Sequence, residues 1–278
     1  WNQSCRTELT IGNRLFFVTG DITQSMIDPM YVYAFNQKLA EDFGIEDPYT
    51  VVNEGRWTID YLRRQTADIS NDLNGDGKMD ENDFWGISTF QINAMDNYMQ
   101  STRVSLMSRD AEGVPVLDVD MERMTTLLEK VYGLCFENPG CRVGPGDQPG
   151  AAHTIFKEDR ALYTTLTMGH VRTALAEMES DFGILPYPKL NEEQPVYGTR
   201  VQDALTLFSV PIDCRNVELS GAVMEAVAAE NYRKVTPTVY DVAMKTKYSR
   251  DPASAAMIDL IQQSVLINFE SIYNEAIG

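Results

Sequence analysis

The chain has 278 residues, 44% of them hydrophobic, enough to bury a sizeable core in about one and a half to two globular domains. Lys and Arg number 23 against 41 Asp and Glu, a net charge of −18 that repels phosphate backbones and anionic lipid and so argues against nucleic acid or the bulk membrane surface as partners. No apolar run is long enough to span a bilayer, and four cysteines are too few for a disulfide scaffold.

In chain order, Arg14 to Val18 reads as a short strand ended by Gly20-Asp21, and Tyr31 to Phe35 as a second strand. Asn36 suits the N-cap of a helix over Gln37 to Phe43, which Gly44 stops. Thr58 caps a further helix, with Asp60 at its positive end and Ile59, Leu62 and Ile69 on its apolar face. Trp85 to Ile92 predicts a strand, and Leu117, Met121, Met124, Leu128, Val131 and Cys135 recur at helical spacing. Arg142 to Gly150 is a Gly/Pro-rich turn without the Gly-Lys-Ser/Thr ending of a phosphate loop. An amphipathic stretch to Arg160, a strand Ala161 to Met168, a helix from about Val171 to Met178 and a strand Phe182 to Leu185 follow. Leu205 to Val210 predicts another strand, closed by Pro211. Helices are expected near Val217 to Asn231, Pro237 to Tyr248 and Pro252 to Ile267. Strands alternating with helices make the class α/β.

Cys135 and Cys141 flank the turn Glu137-Asn138-Pro139-Gly140. Two readings stay open: a local bridge if the protein is exported, or two free thiols near a helix end. No Cys-x-x-Cys pair exists, which excludes a zinc ribbon or a redox motif of that kind.

The most specific local motif runs from Asp72 to Asp83. Asp72, Asn74, Asp76, Asp80 and Asp83 place side-chain oxygens at the spacing of a twelve-residue calcium loop. Gly77 stands where the chain must turn sharply, and Lys78 offers its backbone carbonyl. The last position is Asp83 where glutamate is usual, so the loop must tighten or the coordination change. Dockerin modules share this loop, but carry it twice. A single copy in an α/β chain predicts a structural Ca2+ that pins the helix ending near Ile69 to the strand beginning near Trp85.

Several longer stretches point further. They are Gly12 to Asp21, Tyr33-Ala34-Phe35-Asn36-Gln37, Gly55-Arg56-Trp57-Thr58-Ile59-Asp60, and the acidic loop followed by Phe84-Trp85-Gly86. Asp181 to Lys189, Tyr197-Gly198-Thr199 and Tyr248-Ser249-Arg250-Asp251 complete the set. In order and spacing these resemble the family-1 extracellular solute-binding proteins of ABC importers, in a Gram-positive branch that carries the calcium-type loop. The resemblance implies a periplasmic-binding-protein-like type II fold whose two lobes close on a ligand. It implies residues 21–203 plus 236–278 as the second lobe. Residues 1–20 and 204–235 would then be inter-lobe strands and the remnant of an incomplete first lobe, the chain being N-terminally truncated. It further implies permease subunits as partners, a cell-surface location through a lipid anchor absent from this chain, and a monomer.

Open α/β lobes bind ligands at the carboxyl ends of their strands. Candidate contacts are therefore Gln91, Asn93, Asp96, Asn97 and Tyr98 after one strand, His170 and Arg172 after the next, and Tyr187, Tyr197 and Arg200 beyond the third. Aromatic faces with amides and charged groups suit a sugar or another small polar solute. No catalytic residue is assigned: there is no Gly-x-Ser-x-Gly elbow and no His-Glu-x-x-His, and histidines number two. A carbohydrate-active enzyme working through two carboxylates, or a calcium-stabilised surface adhesion or scaffold module, is the alternative.

Overall fold

The computed structural model describes residues 1–23, 26–145, 150–202, 205–239 and 252–273, without the side chains of 91–95 and 252. The chain opens with helix α1 (Gln3–Glu8) and a hairpin of β1 (Thr10–Ile11) and β2 (Arg14–Leu15). The central unit then builds in order: β3 (Tyr31–Asn36), α2 (Gln37–Asp42), α3 (Pro48–Asn53), α4 (Ile59–Thr66), β4 (Ser70–Asn71), β5 (Phe84–Phe90) and α5 (Gln91–Ser101). A ribbon of β6 (Met107–Arg109) and β7 (Pro115–Leu117) leads to α6 (Met121–Cys135) and β8 (Cys141–Gly144). Next come α7 (Gly150–Lys157), β9 (Ala161–Thr167), α8 (Met168–Thr173), β10 (Phe182–Leu185) and β11 (Thr199–Arg200). After α9 (Val217–Glu230) and a π-helical turn at Asn231–Val235 come α10 (Pro252–Gln263), β12 (Val265–Leu266) and α11 (Phe269–Ile272).

The main sheet has the order β10-β3-β9-β5-β4, with β8 beside β5. β5, β8 and β9 run parallel, whereas β3 is antiparallel to both its neighbours. Every residue of β3 is buried, because both faces of the sheet are covered. Period-two alternation divides its side chains. Tyr31, Tyr33 and Phe35 join the core under α3, α4 and α6, and Val32 and Ala34 join the core under α1, α7, α8 and α10. The result is a three-layer α/β/α unit, the class expected from the sequence.

Local capping follows the sequence closely. The Asn36 side chain accepts the Leu39 amide at 3.0 Å, and Thr58 accepts that of Tyr61 at 3.1 Å. Gly44 has φ +62°, where a side chain would be strained.

Other expectations are corrected. Within the predicted strand Arg14 to Val18 only Arg14–Leu15 is strand, paired across the tight turn Gly12-Asn13, while Val18 makes one bridge to Phe208. That bridge is also all that forms of the predicted Leu205 to Val210 strand among the described residues. The strand expected to reach Ile92 stops at Phe90, and α5 begins at once. The helix expected from Leu117 starts at Met121, where Asp120 accepts the Arg123 amide. Its buried stripe is Leu127, Val131, Leu134 and Cys135, so Leu117, Met121 and Leu128 face solvent. Arg142 to Gly144 belongs to strand β8 and not to a turn, because parallel pairing with β5 draws it into the sheet. The helix expected at Val171 to Met178 is α8, which begins at Met168 where Thr167 caps it and ends already at Thr173. α10 stops at Gln263, since β12 leaves to pair with β11. Most of the helix expected over Pro237 to Tyr248, and the Tyr248 to Asp251 motif, lie outside the described residues. No described helix is long and apolar enough to cross a membrane.

Candidate functional site

β5, β8 and β9 share one carboxyl edge, and two helices start directly from it. α5 follows β5 and α8 follows β9 without an intervening loop. Gln91 and Asn93 therefore sit in the first turn of α5, and Asp96, Asn97 and Tyr98 in the turns behind it. The side chains of Gln91 and Asn93 lie outside what the structure describes.

The structure brings five of the ten candidates into one network, buried except for the exposed Asp96. Arg200 is 6% exposed and reaches the Asn97 carbonyl oxygen at 3.3 Å and the Asp96 carboxylate at 3.5 Å. Its guanidinium also lies over the Tyr31 ring, 5.5 Å from the centroid. The Asn97 amide donates to the Tyr187 hydroxyl at 2.9 Å. The Tyr98 and Tyr33 hydroxyls bond each other beneath it, and both rings pack edgewise on Tyr187. Burial pushes all three tyrosine hydroxyls above the ordinary range, so they stay neutral donors and acceptors at any physiological pH.

A second polar group gathers at Thr165. Its hydroxyl meets that of Thr89 at 2.6 Å, and its carbonyl meets His153 Nε2 at 3.2 Å. His153 packs against His170, ring centroids 4.9 Å apart. His170 Nδ1 in turn meets the Thr167 hydroxyl at 3.0 Å. Burial, aided by the neighbouring His170, depresses His153 to about 4, and burial lowers His170 as well. Both imidazoles are therefore neutral near pH 7, and the edge carries little net charge.

Two candidates fall elsewhere. Arg172 pairs with Asp28. Tyr197 is buried with its hydroxyl on the Val52 carbonyl at 2.9 Å and the Lys189 ammonium over its ring. His153, Thr89 and Thr165 were not among the candidates. Strand periodicity could have marked Thr165, but only the folded sheet places His153 beside it.

Asp96 and Arg200 also wall an open cavity of about 190 Å³ between α5, β11 and α11, lined as well by Gln100, Asn268 and Glu270. This is smaller than the ~300–1,000 Å³ of a complete small-molecule site, so it is one side of a site at most.

The acidic loop folds as successive side-chain-to-backbone turns. Asp72 accepts the amides of Gly75 and Gly77, Asn74 that of Asp76, Asp76 that of Lys78, and Asp80 that of Asn82. Gly75 and Gly77 take φ of +73° and +77°, which only glycine adopts easily. Asp83 is fully buried, and its two oxygens accept the Leu73 and Asp80 amides at 3.0 and 2.7 Å. It closes the loop from within. The Trp85 indole donates to the Asp80 carbonyl at 2.8 Å and ties the loop to β5. Among the described residues no three His, Cys, Asp or Glu side chains gather as a metal site. Asp72, Asn74, Asp76 and Asp80 each accept a backbone amide already, and Asp83, occupied by two amides, fits a bidentate ligand poorly.

No family model matches the chain, and none of the curated proteins matches it. Solved structures do. The galacto-N-biose-/lacto-N-biose I-binding protein of the ABC transporter from Bifidobacterium longum superposes on 96% of this chain and 63% of its own, with a TM-score of 0.61 and 10% identity. A cyclo/maltodextrin-binding protein complexed with maltotetraose gives 99% and 65%, a TM-score of 0.58 and 10% identity. RafE from Streptococcus pneumoniae gives 97% and 66%, a TM-score of 0.56 and 13% identity. The chain thus spans less than two thirds of the length of each of these proteins. At such identities the likeness speaks for architecture alone, and that architecture is the α/β fold of the periplasmic-binding-protein type.

Proposed function

We propose that the chain is part of an extracellular solute-binding component of an ABC importer, capturing a carbohydrate between two lobes without chemical conversion. The observation that carries this reading is a pair of polar groups, Arg200 with Asn97 and Tyr187, and Thr165 with Thr89 and His153, set along the carboxyl edge of the parallel strands. One guanidinium balanced by one carboxylate, neutral imidazoles and aromatic rings suit an uncharged polyol. Two proteins with this fold, bound to maltotetraose and to lacto-N-biose, support the same ligand class.

The division into lobes is part of the proposal. Residues 21–203 with 236–278 would form the second lobe, and residues 1–20 with 204–235 the inter-lobe strands and a first-lobe remnant. Two observations support it. Val18 and Phe208 pair by two backbone bonds of 2.9 and 2.8 Å outside the main sheet. α9 leaves Val217, Leu219, Val223 and Val227 exposed, as a helix does when its packing surface belongs to another unit. A lipid anchor and permease partners belong to the intact protein in this reading. Ca2+ held by Asp72, Asn74, Asp76, Asp80 and the Lys78 carbonyl would clip α4 to β5, with Asp83 bracing the loop.

Calorimetric titration of the intact protein against a glycan panel tests the central claim. Saturable binding of a neutral oligosaccharide supports it, and silence across sugars and other small solutes overturns it. Product analysis of the same mixtures separates a binder from an enzyme. An adhesion module of sandwich type is disfavoured by the mixed sheet with helices on both faces. A melting temperature indifferent to Ca2+ and chelator would remove the ion from the proposal.

A further inference from the structure

Asp96 and Gln100 stand four residues apart on α5, so their side chains leave the helix on one face, toward the open cavity of about 190 Å³ between α5, β11 and α11. Across it Glu270 stands in the first turn of α11. Its Oε1 accepts the Ser105 hydroxyl at 2.9 Å, the Leu106 amide at 3.3 Å and the Asn268 side-chain amide at 3.4 Å. All three bonds fall on that one oxygen. Gln100 is 6% exposed, and its Oε1 is buried and accepts no hydrogen bond among the described residues. A buried carbonyl without a donor carries a desolvation cost that a donor placed in the cavity would recover. Two carboxylates, Asp96 and Glu270, face one guanidinium. Arg200 shares that guanidinium between Asp96, 3.5 Å away, the Asn97 carbonyl and the Tyr31 ring. The lining is therefore rich in acceptors and net negative. Met99, Val104 and Leu106 give it an apolar wall.

We propose that this cavity takes a primary ammonium group on a short aliphatic stem, the rest of the ligand lying outside it. An ammonium has three N–H donors and no acceptor. Three acceptor groups meet it: the Asp96 carboxylate, the Glu270 carboxylate and the Gln100 carbonyl. The stem lies on Met99, Val104 and Leu106, as the methylenes of a lysine lie on apolar surface. Other ligand classes fit less well. An anion would meet two carboxylates. A calcium-like cation takes six to eight oxygens, and among the described residues no third His, Cys, Asp or Glu joins the two. A guanidinium is a planar fork suited to one carboxylate taken in bidentate fashion, whereas these acceptors come from α5 and α11 on two sides of the cavity. A hydroxyl donates one hydrogen and leaves the negative charge uncompensated. No lysine of this chain lines the cavity.

The probe is n-butylammonium chloride, titrated into the isotope-labelled intact protein while its backbone amides are followed by NMR. The controls are n-butanol, of equal length, and potassium chloride. Saturable shifts are expected for the amides of 96–106, 199–200 and 268–272, with a dissociation constant of about 1–10 mM for so small a probe. The alcohol should bind at least about tenfold more weakly, since charge-assisted bonds are roughly twice as strong as neutral ones. Raising the salt from about 0.01 M to about 0.1 M should weaken the ammonium, because the screening length shrinks from about 30 Å to about 10 Å. Glu270→Gln keeps an acceptor for Ser105 and Leu106 and removes the charge, and Gln100→Met keeps the bulk and removes the carbonyl. Each should weaken n-butylammonium by about fivefold or more and leave n-butanol unchanged, with melting curves to verify that both variants fold. Equal binding of n-butylammonium and n-butanol overturns the proposal, as does displacement by an equal concentration of K+. Shifts centred elsewhere, or folded variants that bind the ammonium like the parent, overturn it too. None of these readouts uses a sugar, so their failure leaves the solute-binding reading untouched, and the converse holds.

Discussion

Replacing Tyr187 with phenylalanine isolates the hydroxyl that accepts the Asn97 amide. The ring is 2% exposed and packs edgewise on Tyr33 and Tyr98, at centroid distances of 4.8 and 5.4 Å. Phenylalanine keeps those contacts and the volume. What disappears is the acceptor of the Asn97 amide at 2.9 Å. Asn97 is 1% exposed and cannot turn to water, because its carbonyl is held by Arg200. A buried donor left without a partner costs about 1–3 kcal/mol. Taking about 2 kcal/mol, and about 2–4 °C for each in a chain of this size, the melting temperature should fall by about 4–8 °C. Calorimetry and urea unfolding measure it. A cycle with Asn97→Leu then asks whether the loss belongs to the pair: the double variant should be more stable than the sum of the singles predicts, by about 1 kcal/mol. A Tyr187→Phe protein melting within about 1 °C of the parent, or an additive cycle, would refute the reasoning.

Other outcomes follow from the same geometry. Thr58→Ala removes the side-chain acceptor of the Tyr61 amide and should cost about 1 kcal/mol in urea unfolding. Gly183→Ala would place a methyl group 2.1 Å from the Tyr49 hydroxyl and 2.2 Å from Phe35 Cε1, so a loss of about 3 kcal/mol or a failure to fold is expected. His153 gives a pH dependence of known sign. Its folded value of about 4 lies below the ordinary 6.5, so between those values the unfolded chain takes up a proton that the folded protein refuses. Its contribution is complete above pH 6.5 and is lost as pH falls toward 4, by about 2 kcal/mol at pH 5. A His153→Gln protein should lose correspondingly less between pH 7 and pH 5, and equal losses would contradict the assignment.

Much of the scaffold is legible in the sequence because its causes are local. Asn36 and Thr58 cap helices through neighbours three residues away. β10 has the predicted limits because Asp181 precedes it and Pro186 ends it. Asp47-Pro48 is an equally local signal for α3, with Asp47 accepting the Tyr49 and Thr50 amides, and it went unread. The start of α5 was hidden for another reason: its N-cap is Phe90, which offers no side-chain bond. The buried stripe of α6 could not be chosen from spacing alone, since Met121 and Leu128 lie on one apolar line and Leu127 and Leu134 on another. The candidate site is mostly non-local. Asn97 meets Tyr187 across 90 residues, and Arg200 reaches back 103 to Asn97. The sequence names these residues as polar groups near strand ends, but only the fold decides that they bond one another.

The place of β3 between β10 and β9 also has a consequence in time. Its two partners are β9 and β10, which begin at Ala161 and Phe182. When Tyr31–Asn36 leaves the ribosome, neither edge of the strand has anything to pair with. At about 5–20 residues per second, β10 is complete roughly 8–30 s later. For that interval a six-residue apolar strand with two bare edges is a template for any passing chain. The flanked position that buries β3 on both faces and both edges of the finished sheet leaves it unpaired in the nascent one, and a chaperone that holds the young chain has its reason to bind there.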